Sequence, residues 1–150
     1  MGYTINLHRV LKAPGARVYK AFLDPAALCK WLPPAGYTCS IEKLDAKVGG
    51  TFRMAFTEFD SGSPMGFGGT YLELVPNAKI RYNDVFDDPN LPGEIMVTIE
   101  FKDVIGGTEL KVQQANIPDV IPAEMCYLGW QDSLKQLAQL VELGAPPTGS

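Results

Sequence analysis

The sequence predicts an α+β domain in which an antiparallel sheet of about seven strands wraps a long C-terminal helix around an apolar pocket. Three observations predict it. Six segments in the middle of the chain read as strands divided by turn residues. Two short proline-started helices follow an initial strand. The C-terminal segment carries a helical stripe with no internal proline.

The elements follow in order. From Tyr3 to Leu11, Ile5, Leu7, Arg9 and Leu11 share one face, and Thr4, Asn6, His8 and Val10 share the other. That two-residue period predicts a strand. Ala13-Pro14-Gly15 breaks it, and the i, i+4 pair Val18 and Phe22 then predicts a helix with Pro14 in its first turn. Asp24 is placed to cap a second helix with Pro25 at its first position, and Pro33-Pro34 ends it. Predicted strands span Thr38–Leu44, Thr51–Phe59, Phe67–Val75, Lys79–Phe86, Glu94–Lys102 and Thr108–Gln114, with Gly106-Gly107 as a hairpin turn. Ile95, Val97, Ile99 and Phe101 alternate with polar neighbours, as in a sheet covered on one side. The last helix runs from about Pro122 to Leu143, with Trp130, Leu134, Leu137, Ala138 and Val141 on one stripe. Gly144 stops it, and residues 144–150 read as a flexible tail.

At 150 residues, with no internal repeat or long linker, one domain is expected. Net charge is −4, and the 13 basic residues are scattered singly, so nucleic acid is not an expected partner. No apolar run approaches the roughly 20 residues of a membrane-spanning helix, so no membrane partner is expected. Met1 to Val10 lacks a signal-peptide layout, and a cytoplasmic location is expected. Cys29, Cys39 and Cys126 are too far apart in sequence for a metal knuckle or redox motif and read as buried reduced thiols.

The chain resembles the START/Bet v 1-like superfamily, with its helix-grip fold, and within it the single-domain relatives of the Hsp90 ATPase activator's C-terminal domain. The residues carrying the resemblance begin with Arg9, Ala13-Pro14, Val18-Tyr19-Lys20-Ala21, Asp24-Pro25, Leu28, Trp31 and Pro34. They continue through Val48-Gly49-Gly50, Gly66, Gly69-Thr70-Tyr71, Pro76, Thr108-Glu109-Leu110 and Gly129-Trp130 to Leu134 and Leu137. The resemblance implies a cavity between the sheet and the long helix. It supplies no universal catalytic residue. Many relatives have a histidine where this chain has Gln114, and the chain has no room for the activator's separate N-terminal domain.

His8 is the only histidine, which removes multi-histidine metal sites, and its strand face predicts a surface position. No metal or other cofactor is expected. Glu58 and Asp60 lie two apart, but Asp60 opens a Ser/Gly/Pro loop and suits turn geometry. Asp87-Asp88-Pro89 reads as a solvated turn. Gly66-Phe67-Gly68-Gly69 lacks the lysine of a phosphate-binding loop and the helix that should follow a dinucleotide-binding turn. It marks a bend or a close backbone approach instead. Arg9 and Arg53 are expected to form structural ion pairs.

The aromatic set points to a ligand site. Trp31, Phe52, Met54, Phe56, Tyr71, Tyr82, Phe86, Gln114, Trp130 and Leu134 are the expected ligand-binding residues. Large rings with polar tips suit a pocket that grips an apolar molecule and orients it by a few hydrogen bonds. Binding of a small, largely apolar molecule is therefore the leading expectation. One alternative is a cyclase or hydrolase of polyketide-like substrates, for which Glu58, Asp84 and His8 are the only acid–base candidates. Another is a partner of an Hsp90-type chaperone, which needs an exposed adhesive surface.

Overall fold

The computed structural model describes residues 2–142. The predicted helix end at Leu143 and tail at 144–150 lie outside the described residues. The elements are β1 (Gly2–Leu11), α1 (Gly15–Leu23), α2 (Pro25–Trp31), β2 (Tyr37–Leu44), β3 (Thr51–Glu58), β4 (Pro64–Val75), β5 (Lys79–Phe86), β6 (Ile95–Val104), β7 (Gly107–Pro118) and α3 (Ala123–Val141). The strands form one seven-stranded sheet in the order β1-β7-β6-β5-β4-β3-β2, every neighbouring pair antiparallel. Strands β2 to β7 meander, and β1 closes onto β7. This is the predicted α+β helix-grip arrangement.

Local chemistry sets the boundaries. The Asp24 carboxylate accepts from the amides of Ala26 at 3.0 Å and Ala27 at 3.4 Å, with Pro25 opening α2 as predicted. Pro14 and Pro122 stand one position earlier than predicted, as the caps of α1 and α3. The β6–β7 hairpin turns at Ile105-Gly106, with Gly106 at a φ of 90° that glycine adopts freely. Strand β7 runs past the predicted end at Gln114. Asn116 takes a φ of 61°, and the register against β1 shifts between Tyr3 and Ile5. Alternation breaks there, but pairing resumes and buries Ile117 completely.

The Gly66–Gly69 stretch is a close-approach device within β4. A Cβ on Gly69 would lie 1.9 Å from the Asn83 carbonyl oxygen of β5. A Cβ on Gly66 would lie 2.3 Å from an Asp87 carboxylate oxygen, where Asp87 meets Arg53.

One core joins the sheet's inner face to the helices. Leu134, Leu137, Ala138 and Val141 of α3 are buried in the same cluster as Val18, Phe22, Ile99, Leu110 and Val112. The C-terminal end of α3 is tied down, since Arg17 Nη1 donates to the Val141 carbonyl at 3.0 Å and the Lys12 amide to Glu142 Oε2 at 2.8 Å. Thr108, fully buried, donates its hydroxyl to the Ala13 carbonyl at 2.7 Å. No helix among the described residues is long and apolar enough to cross a membrane.

Candidate functional site

Burial along α3 is uneven, and the site lies where it fails. Its buried residues are Ser133, Leu134, Leu137, Ala138 and Val141, all in the C-terminal half. The N-terminal half instead roofs a cavity of about 240 Å³. Strand alternation builds the floor. Phe52, Met54 and Phe56 of β3 line it, with Met65, Phe67 and Tyr71 of β4 and Ile80, Tyr82, Asp84 and Phe86 of β5. Gln114 of β7 and Leu28, Leu32 and Pro34 in and after α2 close the sides. Met125, Cys126, Gly129, Trp130 and Ser133 come from α3. Met125 also lines the cavity yet is 64% exposed, which puts the mouth at the first turns of α3.

The rings brace one another, edge to face except for the tilted Phe52–Tyr71 pair. Phe52 stands 5.4 Å from both Tyr71 and Tyr82, and Phe67 stands 4.9 Å from Phe56 and 6.0 Å from Phe86. Such pairs hold side chains in place beyond what area burial alone does. Trp130 is oriented by its indole N–H, which donates to Gln114 Oε1 at 3.0 Å across the cavity.

Eight of the ten predicted ligand-binding residues surround the cavity: Phe52, Met54, Phe56, Tyr71, Tyr82, Phe86, Gln114 and Trp130. Trp31 and Leu134 are not on its wall. Trp31 is fully buried, donates its indole N–H to the Ala21 carbonyl at 2.9 Å and packs edge-on against Phe22 at 4.7 Å. It locks α2 to α1. Leu134 points into the core. Helical periodicity places a residue on the apolar stripe without saying whether the stripe meets packing or space at that turn.

Asp84 is the one acid on the wall. Its Oδ1 is shut off from solvent and has no hydrogen-bond partner. Burial pushes its carboxyl up to about 8, because desolvation disfavours the charged form. Tyr71 and Tyr82 are pushed up as well, first by burial and then by the nearby Asp84. The sequence signal was visible. Ile80, Tyr82, Asp84 and Phe86 follow a strict two-residue period, so a carboxylate stands in an otherwise apolar stripe. Phe67 and Tyr71 share a face of β4 in the same way. The wall residues from α2 and from the first turns of α3 carry no comparable signal.

The remaining candidates lie elsewhere. His8 sits on the surface, where its Nε2 meets Glu109 Oε2 at 2.9 Å. Glu58 accepts from the Ser61 hydroxyl at 2.6 Å and closes the turn after β3. Arg53 forms a two-pronged pair with Asp87, Nη1 to Oδ1 being 2.7 Å. Asp88 accepts from the Asn90 amide at 2.9 Å in its turn. Arg9 is half-buried on β1 and off the cavity wall. All three cysteines are half-buried thiols. Cys29 and Cys39, ten residues apart in sequence, meet in space, and burial followed by the Cys29 contact pushes the Cys39 thiol up to about 12. Among the described residues no three His, Cys, Asp or Glu side chains are grouped to hold a metal.

The comparisons agree with this architecture. A protein from Chromobacterium violaceum is 57% identical, with a TM-score of 0.93 over 95% of this chain and 99% of that one. A Rhodobacter sphaeroides protein, 21% identical, superposes with a TM-score of 0.81 over 93% of this chain and 92% of its own. An AHSA1-like protein from Aeromonas hydrophila, also 21% identical, gives 0.76 over 93% and 92%. The last two likenesses speak to the fold alone. A search of curated proteins returned no match. Residues 12–142 match the family described as Activator of Hsp90 ATPase homolog 1-like protein, and the chain belongs to that family.

Proposed function

We propose that this protein binds a small, largely apolar molecule in the cavity beneath the N-terminal half of α3. The observation that carries the proposal is a cavity of about 240 Å³ walled by mutually braced aromatic rings within an otherwise packed core. A cavity of roughly 150 Å³ already holds benzene, so a molecule of one or two rings fits. The volume lies just below the roughly 300–1,000 Å³ of typical ligand sites, which argues for a small ligand. The family's fold commonly binds ligands or engages Hsp90, which is compatible with either role.

Native mass spectrometry of the protein purified from its own host, followed by mild denaturation, tests this reading. A recurring small mass is expected, and it should be lost or weakened in a folded Trp130→Ala variant. Absence of any retained mass, together with no binding of small alkylbenzenes, would overturn it. Asp84 favours a second reading, turnover of the bound molecule by a carboxyl able to exchange a proton near neutral pH. Conversion of the released molecule by wild type but not by Asp84→Asn is its test.

A further inference from the structure

The cavity wall combines two features that together select a ligand. Its only charged-type side chain is an acid, and among the described residues no Lys, Arg or His lines it. The Asp84 Oδ1 oxygen is buried without a donor, while the aromatic rings of Phe52, Tyr71, Tyr82 and Trp130 line the same cavity. An anionic ligand has no counter-charge there. A purely apolar ligand leaves the carboxyl oxygen unsatisfied, which is costly in a low-dielectric site.

We propose, on the reading that this cavity binds a ligand, that Asp84 is its polar anchor and that the ligand is an apolar amine whose ammonium group pairs with the Asp84 carboxylate among the aromatic faces. An ammonium supplies the missing N–H donor, compensates the buried charge, and is attracted by the ring faces. The proton balance is explicit. A protonated amine that meets the neutral carboxyl releases one proton to solvent as the ion pair forms. A neutral amine instead takes the Asp84 proton itself, with no net release.

Proton linkage gives the inference a signature. The titratable groups that share the cavity wall with Asp84 are Tyr71 on β4, Tyr82 on β5 and Cys126 on α3; β3, β7 and α2 contribute none. The tyrosines are pushed further above neutrality, so a change between pH 6 and 8 that disappears in Asp84→Asn reports Asp84. Burial holds its carboxyl protonated up to about 8, so affinity for an ammonium must rise as pH approaches that value.

Calorimetry with four matched probes tests this: 3-phenylpropylamine, butylbenzene, 4-phenylbutan-2-one and 4-phenylbutyrate. The amine is expected to bind at least about tenfold more tightly than butylbenzene at pH 8, and the butyrate most weakly. Amine affinity should rise by about tenfold or more from pH 6 to 8, as linkage to a single proton allows. Asp84→Asn should abolish the amine preference over butylbenzene and its pH dependence. Binding of butylbenzene with no preference for the amine, or a preference for the ketone, would overturn this inference alone. Binding of none of the four would overturn the cavity reading with it.

Discussion

The two halves of α3 cover the same sheet and do opposite things. From Ser133 to Val141 the inward residues of the helix are shut from solvent and share one core cluster with residues of α1, β1, β6 and β7. From Ala123 to Trp130 not one residue is fully buried, and the inward ones bound a cavity. The difference comes from what stands opposite. The packed half joins a core cluster that includes Val112, Leu110 and Ile99, filled to native density. The other half faces rings on β3, β4 and β5 that brace against one another, edge to face, and so resist collapsing into the space. Close packing is concentrated at one end of the helix and the cavity at the other.

Truncation at both ends sharpens this contrast most. Leu137→Ala removes a fully buried side chain from the packed half and should cost about 3–5 kcal/mol. Met54→Ala enlarges a space that already exists, so fewer contacts are lost and a cost at the low end, about 2 kcal/mol, is expected. Urea denaturation of the two variants measures both. Equal losses would mean that the cavity half is packed as tightly as the other.

Asp84 breaks the symmetry in the opposite direction, because its removal should stabilise the protein. The folded state holds the Asp84 proton up to about 8, whereas the unfolded chain releases it near 3.8. Between those values the folded state binds more protons, so stability falls as pH rises and levels off above about 8. Asp84→Asn removes that slope. The variant should match wild type near pH 4 and exceed it by roughly 2–4 kcal/mol at pH 8, after allowance for partial solvent access. Thermal unfolding across that range decides it. A wild-type advantage at pH 8 would show that the carboxylate is compensated within the fold.

How much of this was legible in the sequence follows from the same contrast. Strand alternation and proline caps located every element, because period and backbone chemistry are local. Eight wall residues were legible because a two-residue period assigns each to a face. Trp31 and Leu134 were assigned to the site because an inward face reads alike whether it meets packing or space. That distinction depends on residues far away in the chain, such as Phe22 against Trp31. The end of β7 was missed because the bulge at Asn116 shifts the alternation it would have followed. The Cys29–Cys39 contact was missed because sequence spacing does not reveal that α2 lies against β2.

The smallest difference concerns two buried hydroxyls, one within the packed core and one on α3 where that core meets the cavity. Thr108 donates to the Ala13 carbonyl at 2.7 Å within the packed core, out of reach of solvent. Thr108→Val keeps the shape but leaves that carbonyl without its donor, which should cost about 1–3 kcal/mol. Ser133 donates to the Leu32 carbonyl at 2.6 Å and approaches the Gly129 carbonyl at 3.0 Å, beside the cavity. After Ser133→Ala a water entering from the mouth at Met125 can take over at Leu32, a site with polar partners and room for it. The loss there should stay below about 1 kcal/mol. Chemical denaturation of the two variants ranks them. A larger loss at Ser133 than at Thr108 would mean that water does not reach Leu32, and that the cavity is sealed at its α2 side.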